Sequence, residues 1–451
     1  MSAHGQVQSD ARLRVAIVGG GWAGLAAAVE LASAGVQVTV FESARQLGGR
    51  ARSVEVGTAS APLRVDNGQH ILIGAYCETL RLMREVGADP ERLLLRRPLE
   101  LHHPGSAAAP AFSLRLPRLP APWHLALGLL GARGVSLAEK IAAARFMRRL
   151  EARRWTLPED ESVAALLQRE RQGPRLRRYF WEPLCLSALN TPAADASAQV
   201  FVNVLRDSLA GASDATDLLL PAADLDRVFA APAASFVVAR GGAIRLASRV
   251  RAIEPDGSQW LVTVDGSGDQ RERFDQVVVA TAAPAAARLL APWPALAGPC
   301  AALEHAPIGT LYLGYPPEVR LPLPMLGLEQ AAALGQWVFD RGQLCGTAGV
   351  LAFVFSGSGA WEAHDADELA RRLHRELESA LGRALPTPTW RQLIRERRAT
   401  FVCRPGLARP GCRTGIPGLW LAGDFVWAGY PSTLEGAVRS GVAAAHEILR
   451  R

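Results

Sequence analysis

The segment Gly19-Gly20-Gly21-Trp22-Ala23-Gly24 has the G-x-G-x-x-G spacing of a dinucleotide-binding loop. An apolar run, Val15 to Val18, precedes it, and good helix formers from Leu25 to Ala34 follow it. At this spacing the first glycine permits a tight turn, the second lets the backbone approach a pyrophosphate, and the third lets helix and strand pack closely. The segment therefore predicts a phosphate cradle between a strand and a helix N-terminus.

Two further groups of residues extend this cradle. Glu42 stands 23 residues after Gly19, where a carboxylate can accept hydrogen bonds from ribose hydroxyls, and we expect the adjacent Ser43 to contact the cofactor as well. Leu47-Gly48-Gly49-Arg50 follows, a glycine pair with a guanidinium that can bind phosphate oxygens bidentately. Because a nicotinamide enzyme does not need this extension, it favours a different cofactor.

A second signature stands near the C-terminus, in Leu421-Ala422-Gly423-Asp424, Pro431 to Ala437 and Ser440-Gly441. Together with the run from Val15 to Arg50, it resembles the flavin amine oxidase and phytoene desaturase superfamily. The resemblance implies noncovalently bound FAD, with Asp424 at the ribityl or diphosphate portion and a helix N-terminus directed at the flavin ring. It assigns further cofactor contacts to Asn67, Gly68, Gln69, Val250, Thr433, Leu434, Glu435 and Ala437.

The elements that must position these residues follow an α/β pattern. Val15 to Val18 and Val36 to Phe41 predict two parallel strands around one helix. Residues 76–229 predict mostly helix, and strands are predicted at 236–238, 260–264 and 276–280. We expect a Rossmann-like FAD-binding domain of the two-dinucleotide-binding-domain flavoprotein type, with an inserted, largely helical α+β substrate domain. The FAD-binding domain is assigned to residues 14–75, 232–291 and 391–451, and the substrate domain to residues 76–231 and 292–390.

A closer resemblance rests on four blocks, which are Val65 to His70, Trp181 to Cys185, Leu189 to Pro192, and Val204 to Asp207. With them, the chain resembles the squalene-associated FAD-dependent desaturases, better described as the hydroxysqualene dehydroxylases of bacterial hopanoid synthesis. This similarity covers nearly the whole chain. It implies reductive removal of the allylic hydroxyl of hydroxysqualene, with hydride from reduced flavin delivered to an allylic cation. The site must then bind a long-chain isoprenoid, exclude water and protonate the departing hydroxyl.

Three residues are candidates for the proton donor. His70 follows the turn expected near the flavin ring, and an imidazole with an ordinary pKa of about 6.5 suits proton transfer. His70 could equally serve only as a hydrogen-bond partner of the flavin or of the backbone. Tyr430 and Glu182 are weaker candidates, since Glu182 can instead pair with a nearby arginine. The six cysteines show no metal-ligand spacing, so no metal is expected.

Other functions remain open on these residues. A carotenoid (phytoene-type) desaturase, or another polyprenoid oxidoreductase, would use the same fold in the oxidative direction. An amine oxidase is less favoured, because no aromatic cage or anchoring charge is found. A non-enzymatic prenyl-chain binding protein is disfavoured by the set Glu42, Arg50 and Asp424. No second glycine fingerprint follows residues 277–280, so an unidentified diffusible donor or redox partner is expected to reduce the flavin.

The net charge of +7 and the pI near 9.5 could indicate nucleic acid or an anionic membrane as partner. Only one of the 50 basic residues is a lysine, however, which is equally typical of an arginine-rich genomic composition. No nucleic-acid motif is present. The polar tail, residues 1–14, lacks the apolar region of a signal peptide, and no run of about 18 apolar residues could span a bilayer. We therefore expect a cytoplasmic protein.

The segment from Trp123 to Trp155 predicts peripheral attachment to the inner face of the cytoplasmic membrane. It begins with an apolar stretch, residues 123–130, and residues 131–155 hold seven basic against two acidic residues. The alternative is an ordinary packed helix whose inward face is formed by Ile141, Ala144, Phe146 and Leu150.

Overall fold

A computed structural model describes residues 12–58, 61–105, 111–120, 122–212, 214–265, 270–328 and 334–450. Most of the polar tail, residues 1–11, lies outside the described residues. The strands are β1 (Arg14–Val18), β2 (Gln37–Phe41), β3 (Ser53–Thr58), β4 (Ala61–Asp66), β5 (Leu72–Ile73), β6 (Leu94–Arg97), β7 (Glu100–His103), β8 (Phe112–Arg115), β9 (Leu218–Pro221), β10 (Ala243–Arg245), β11 (Val250–Asp256), β12 (Gln259–Val264), β13 (Gln270–Phe274), β14 (Gln276–Val279), β15 (His305–Gly314), β16 (Met325–Gly327), β17 (Trp337–Asp340), β18 (Val350–Ser356), β19 (Trp390–Phe401) and β20 (Leu419–Leu421).

Helices occupy both ends and the middle of the chain. They are α1 (Trp22–Ser33), α2 (Cys77–Glu85), α3 (Pro90–Leu93), α4 (Trp123–Gly131), α5 (Leu137–Ala152), α6 (Val163–Arg169), α7 (Pro174–Leu176), α8 (Glu182–Leu189), α9 (Ala198–Leu209), α10 (Ala231–Ala239), α11 (Ala283–Leu289), α12 (Pro294–Ala301), α13 (Arg341–Cys345), α14 (Ala366–Leu381) and α15 (Leu434–Leu449). Two π-helical turns, Arg177–Trp181 and Asp226–Ala230, lead into α8 and α10.

A five-stranded parallel sheet in the order β10-β2-β1-β14-β20 forms the nucleotide-binding half. Its central strand β1 is almost fully buried, which explains why Val15 to Val18 read as a continuous apolar run. Helices α1 and α15 pack on this sheet. Gly441 allows the two helices to lie close together, since a Cβ at this position would be only 2.1 Å from the Ala23 carbonyl oxygen. The predicted βαβ unit and Rossmann-like architecture are confirmed.

The strand predicted at residues 236–238 is wrong, because these residues lie in helix α10. Ala233, Phe236 and Val237 are buried at helical spacing, whereas Val238 is 54% exposed. A short apolar run does not distinguish a strand from a buried helix. Strand β10, which begins seven residues after Phe236, pairs with β2 and forms one edge of the parallel sheet.

A five-stranded antiparallel sheet in the order β16-β17-β18-β15-β19 forms the core of the second half. Helix α14 covers it with Leu369, Leu373 and Leu377. Residues 76–229 are mostly helical, as predicted, and also contain β6 to β9. Strand β19 pairs with β15 along most of its length, although the boundary predicted at residue 391 assigns it to the other domain. This pairing favours a boundary after Phe401, and the domain limits stay a prediction.

The two halves share one buried core. A single cluster of apolar side chains includes Val18 and Phe41 of the parallel sheet together with Tyr312 and Phe339 of the antiparallel sheet. A cavity between the halves is therefore walled by packed elements on both sides. Within the described ranges, no helix is both long enough and apolar enough to cross a membrane.

Candidate functional site

The glycine loop has the backbone geometry that its sequence predicts. Gly19 adopts φ +117°, which favours glycine, and its amide donates to the Phe41 carbonyl at 2.8 Å. A Cβ on Gly24 would lie 2.0 Å from the Gly19 carbonyl oxygen. Only glycine allows α1 to begin this close to β1, and the helix N-terminus is thereby directed into the space between the two halves.

Glu42 holds this loop from the end of β2. Its carboxylate accepts hydrogen bonds from the Gly20 amide at 2.8 Å and the Ala44 amide at 2.7 Å. The Ser43 hydroxyl donates to it at 3.2 Å. The side chain is therefore fixed in place before any ligand binds, and Glu42 and Ser43 both line the cavity.

Arg50 and Asp424 form an ion pair of 2.5 Å that joins the N-terminal and C-terminal signatures. Burial opposes both charges, but the charge of Arg50 and its hydrogen bond outweigh burial and lower the pKa of Asp424 below its usual value. A second Arg50 nitrogen donates to the Ala399 carbonyl at 2.7 Å, and the Ser432 hydroxyl donates to Asp424. The sequence predicts that Arg50 binds phosphate. In the structure its guanidinium already donates to the Asp424 carboxylate and the Ala399 carbonyl oxygen, and phosphate binding by Arg50 stays a prediction.

The turn from Asn67 to His70 forms another wall. The Asn67 side-chain amide donates to the Arg50 carbonyl at 2.7 Å, which ties the turn to the glycine-arginine segment. His70 Nδ1 lies 2.8 Å from the Gly68 carbonyl oxygen. Because a carbonyl oxygen only accepts, Nδ1 carries the proton of this bond. Burial lowers the pKa of His70 below its usual value, so at neutral pH the ring is uncharged and Nε2 is a hydrogen-bond acceptor.

The C-terminal signature closes the cavity from the side of α15. The Thr433 hydroxyl caps this helix by accepting from the Gly436 amide at 3.0 Å, and Thr433, Leu434 and Ala437 line the cavity. The Ser440 hydroxyl accepts from the Gly423 amide at 2.8 Å, so the helix and the end of β20 are fixed to each other. The helix N-terminus carries partial positive charge at the cavity wall.

These walls enclose a cavity of about 820 Å³ between the two halves, within the roughly 300 to 1,000 Å³ typical of ligand and cofactor sites. The predicted site residues that line it are Gly19, Gly21, Trp22, Ala23, Glu42, Ser43, Gly48, Gly49, Arg50, Asn67, Gly68, Gln69, His70, Val250, Gly423, Asp424, Thr433, Leu434 and Ala437. The structure therefore brings together residues from six separate parts of the chain.

The cavity fits the FAD that the sequence implies. Gln69 Oε1 and Thr281 Oγ1 line it and are buried without a hydrogen-bond partner among the described residues. Buried polar atoms without partners are unfavourable, and a polar ligand in the cavity can supply the missing bonds. The glycine loop and Glu42 would hold the pyrophosphate and ribose, and the backbone at Val250 would hold adenine.

Five predicted site residues do not reach the cavity wall. Gly20 and Gly24 act from behind the loop, through the Glu42 hydrogen bond and the close helix contact. Glu435 is fully buried and accepts from the Thr79 amide and hydroxyl and from Arg439, so it joins α15 to α2. The hydroxyl of Tyr430 donates to Asp207. Glu182 pairs with Arg177 at 3.1 Å, the alternative that the sequence left open.

Other residues of the cavity wall carry no sequence signal. They are supplied by α11 and the turn before it, by the end of α8 and by β19, and include Thr281, Arg288, Ser187, Asn190, Glu396 and Thr400. Tertiary pairing alone brings these elements to the site. The only hint among them is Asn190, which belongs to one of the four blocks that carry the closer resemblance.

Comparison with known proteins agrees with this geometry. A family model described as flavin containing amine oxidoreductase matches residues 22–449. A hydroxysqualene dehydroxylase of Sinorhizobium fredii is 29% identical over 440 residues, which cover 96% of this chain and 97% of that protein. A probable zeta-carotene desaturase of Synechococcus elongatus is 24% identical and covers 97% and 98% of the two chains. Among solved structures, an oxidoreductase from Methanosarcina mazei superposes with a TM-score of 0.74 at 15% identity, covering 97% and 100%, and shows the same fold.

Proposed function

Since the chain belongs to the flavin-containing amine oxidoreductase family and is an FAD-dependent oxidoreductase, we propose that it reductively dehydroxylates hydroxysqualene to squalene. The single observation that carries this proposal is the similarity to a hydroxysqualene dehydroxylase along 96% of the chain. Family membership supplies the cofactor and the reaction class. The identity of the substrate, hydroxysqualene, is what we propose.

A contact at the cavity supports the proposal. Asn190, in one of the four blocks on which the closer resemblance rests, ends α8 in the left-handed conformation and lines the cavity. Its side-chain nitrogen donates to the Thr400 hydroxyl at 2.9 Å, and its side-chain oxygen Oδ1 accepts from the Gly357 amide at 2.6 Å. These bonds hold the end of α8 against the antiparallel sheet at the cavity wall.

The reaction breaks a carbon–oxygen bond and replaces the hydroxyl by hydrogen. When bound and reduced, FAD supplies the hydride. The chain must bind the hydrocarbon, keep water from the allylic cation and give one proton to the hydroxyl, which then leaves as water. His70 is the candidate donor at the cavity wall. Its neutral ring presents Nε2 without a proton, so donation requires the imidazolium form.

A carotenoid desaturase remains the second candidate, supported by the full-length similarity to a probable zeta-carotene desaturase. Paired incubations separate the two: reduced enzyme with hydroxysqualene, and oxidised enzyme with phytoene, each followed by extraction and product analysis. We expect squalene in the first extract and unchanged phytoene in the second. Desaturated product in the second extract, with hydroxysqualene untouched in the first, would reject the proposal in favour of the second candidate.

We further propose peripheral attachment to the inner face of the cytoplasmic membrane through α4 and the start of α5. Of the eight exposed large hydrophobic side chains among the described residues, five lie there: Trp123 (63% exposed), Leu127, Leu130, Leu137 and Ile141. Phe146 and Leu150 are buried, as the packed-helix alternative expects, but Ile141 and Ala144 are exposed. An apolar outer face with basic neighbours is typical of interfacial helices.

Flotation at low salt with phosphatidylcholine vesicles that contain phosphatidylglycerol tests this attachment. The doubly substituted Leu127→Ser/Leu130→Ser protein should remain at the bottom while its flavin spectrum is unchanged. Val238→Ser/Leu449→Ser, at exposed apolar positions elsewhere, is the matched control and should float like the wild type. Wild-type protein that stays at the bottom with every vesicle composition would show that substrate delivery needs another route.

A further inference from the structure

Four arginines surround a groove far from the glycine loop in sequence. Arg96 and Arg97 end β6, Arg115 ends β8, and Arg118 follows in the loop before α4. Together with Pro98, Leu116 and Pro117, they line a groove of about 550 Å³. The function proposed above does not use it.

The positive charge of this groove is only partly compensated. Arg96 pairs with Asp217 and Arg97 with Glu100, each at 3.3 Å. For Arg115 and Arg118, no carboxylate of the described ranges lies within ion-pair distance, and both side chains are exposed. Two guanidinium groups therefore face the groove region without a counter-charge, each with the forked donors that match a phosphate group.

The groove is fixed beside helix α4. Leu116 packs under this helix so closely that a Cβ on Gly128 would lie 2.3 Å from Leu116 Cδ2 and 3.2 Å from the Arg115 carbonyl oxygen. Just beyond the helix, the Arg133 amide donates to the Ser113 carbonyl at 2.9 Å. The arginine segment is thus packed directly against the helix that exposes Trp123, Leu127 and Leu130.

We propose that this groove binds the phosphate of an anionic phospholipid headgroup while the outer face of α4 contacts the acyl chains. The inference rests on the membrane attachment proposed above and deepens it by naming the ligand of a specific site. A soluble phosphate offers the same oxygens to the arginines but has nothing to cover the adjacent apolar side chains. The combination of an uncompensated basic groove and an exposed apolar helix matches a lipid, which carries both parts in one molecule.

The test compares flotation of the wild-type holoenzyme with that of Arg115→Gln/Arg118→Gln on vesicles of phosphatidylcholine with phosphatidylglycerol. We expect about thirty-fold weaker binding, from roughly 1 kcal/mol for each arginine near an anionic surface. The control Arg320→Gln/Arg383→Gln removes the same charge at exposed positions outside α4 and the groove, and should change binding less than about three-fold. On vesicles of phosphatidylcholine alone, wild type and Arg115→Gln/Arg118→Gln should bind equally weakly.

The outcomes separate this inference from the attachment itself. If Arg115→Gln/Arg118→Gln floats like the wild type while Leu127→Ser/Leu130→Ser does not, the attachment stands and the groove has another ligand, such as an acidic protein surface. If inorganic phosphate releases the wild type from vesicles and sodium chloride of equal ionic strength does not, the site takes a soluble phosphate and the lipid assignment is overturned. Conversion of detergent-dispersed hydroxysqualene is measured without vesicles, so the dehydroxylation proposal stands or falls separately.

Discussion

Glu42 contributes to the site through a carboxylate that is already bound to the Gly20 and Ala44 amides. Replacing it by alanine removes charge-assisted hydrogen bonds from the loop as well as the predicted bond to ribose. We expect Glu42→Ala to weaken FAD retention by about 1 to 3 kcal/mol, measured as flavin released on dilution. Glu55→Ala, at an exposed position in β3, is the control. Unchanged flavin occupancy in Glu42→Ala would remove Glu42 from the cofactor site.

His70 is the candidate proton donor at the cavity wall. If the imidazolium donates the proton, His70→Ala and His70→Gln should both lower kcat by about two orders of magnitude, since glutamine replaces the hydrogen bond but not the acid. Burial lowers the pKa of His70 below its usual value of about 6.5, so the imidazolium form becomes abundant only below that pH. The wild-type rate should therefore rise as the pH falls below about 6.5. Near-normal turnover of His70→Gln across this range would leave His70 with a structural role.

The sequence predicted correctly which residues reach the cavity where a short segment of fixed spacing forms part of the site. The glycine loop, Glu42 and the segment 67–70 all reach the cavity because local backbone geometry determines where they lie. Glu435 stands in an equally recognisable segment, but the helical period turns it towards α2, away from the cavity. Thr281 and Glu396 could not be predicted, because only the pairing of distant elements places them at the wall.

The close contact between strand β1 and helix α1 depends on the absence of a side chain at Gly24. In Gly24→Ala the new Cβ would meet the Gly19 backbone at 2.0 Å, and backbone cannot rotate away as a side chain could. We expect a loss of about 1 to 3 kcal/mol in the free energy of unfolding together with a lower flavin content.

The matched control for this substitution is Gly298→Ala in helix α12. A Cβ there meets nothing within 4 Å, so this variant should keep its flavin and gain up to about 1 kcal/mol. Denaturant unfolding and flavin absorbance report both quantities. Equal stability of the two variants would mean that the close approach of α1 to β1 is not required.

Helices and strands could be predicted from the sequence where the run of apolar or helix-forming residues had a length typical of only one of the two. The twelve residues of α1 and the five of β1 satisfied this condition. Residues 236–238 did not, and their burial comes from helix packing. The pairing of strand β19 with β15 could not be predicted, because it joins residues 76 to 96 positions apart in the chain, which no local pattern records.

Buried histidines predict how the stability of the whole molecule depends on pH. His103 is 1% exposed among Phe112, Tyr179 and Trp337, and burial lowers its pKa to about 4. The unfolded chain takes up a proton near pH 6.5 and the folded chain does not, so stability present above that pH is lost as pH falls. Burial also lowers the pKa of His70 and of His124, so both residues add to the loss of stability as pH falls.

We therefore expect His103→Phe to reduce the acid sensitivity of the fold. The proton linkage of His103 amounts to about 2 kcal/mol at pH 5 and almost nothing at pH 8. Denaturant unfolding of wild type and His103→Phe at both pH values measures the difference, with His446→Phe at a half-exposed position as the control. A parallel loss of stability in wild type and His103→Phe between pH 8 and pH 5 would contradict this assignment.

In the reaction that we propose, reduced FAD is consumed as the allylic hydroxyl of hydroxysqualene is removed. The most direct measurement is an anaerobic single turnover, in which chemically reduced holoenzyme is mixed with hydroxysqualene while flavin absorbance and extracted product are followed together. We expect one squalene to be formed for each flavin that is reoxidised. A flavin that stays reduced beside unchanged hydroxysqualene would contradict it.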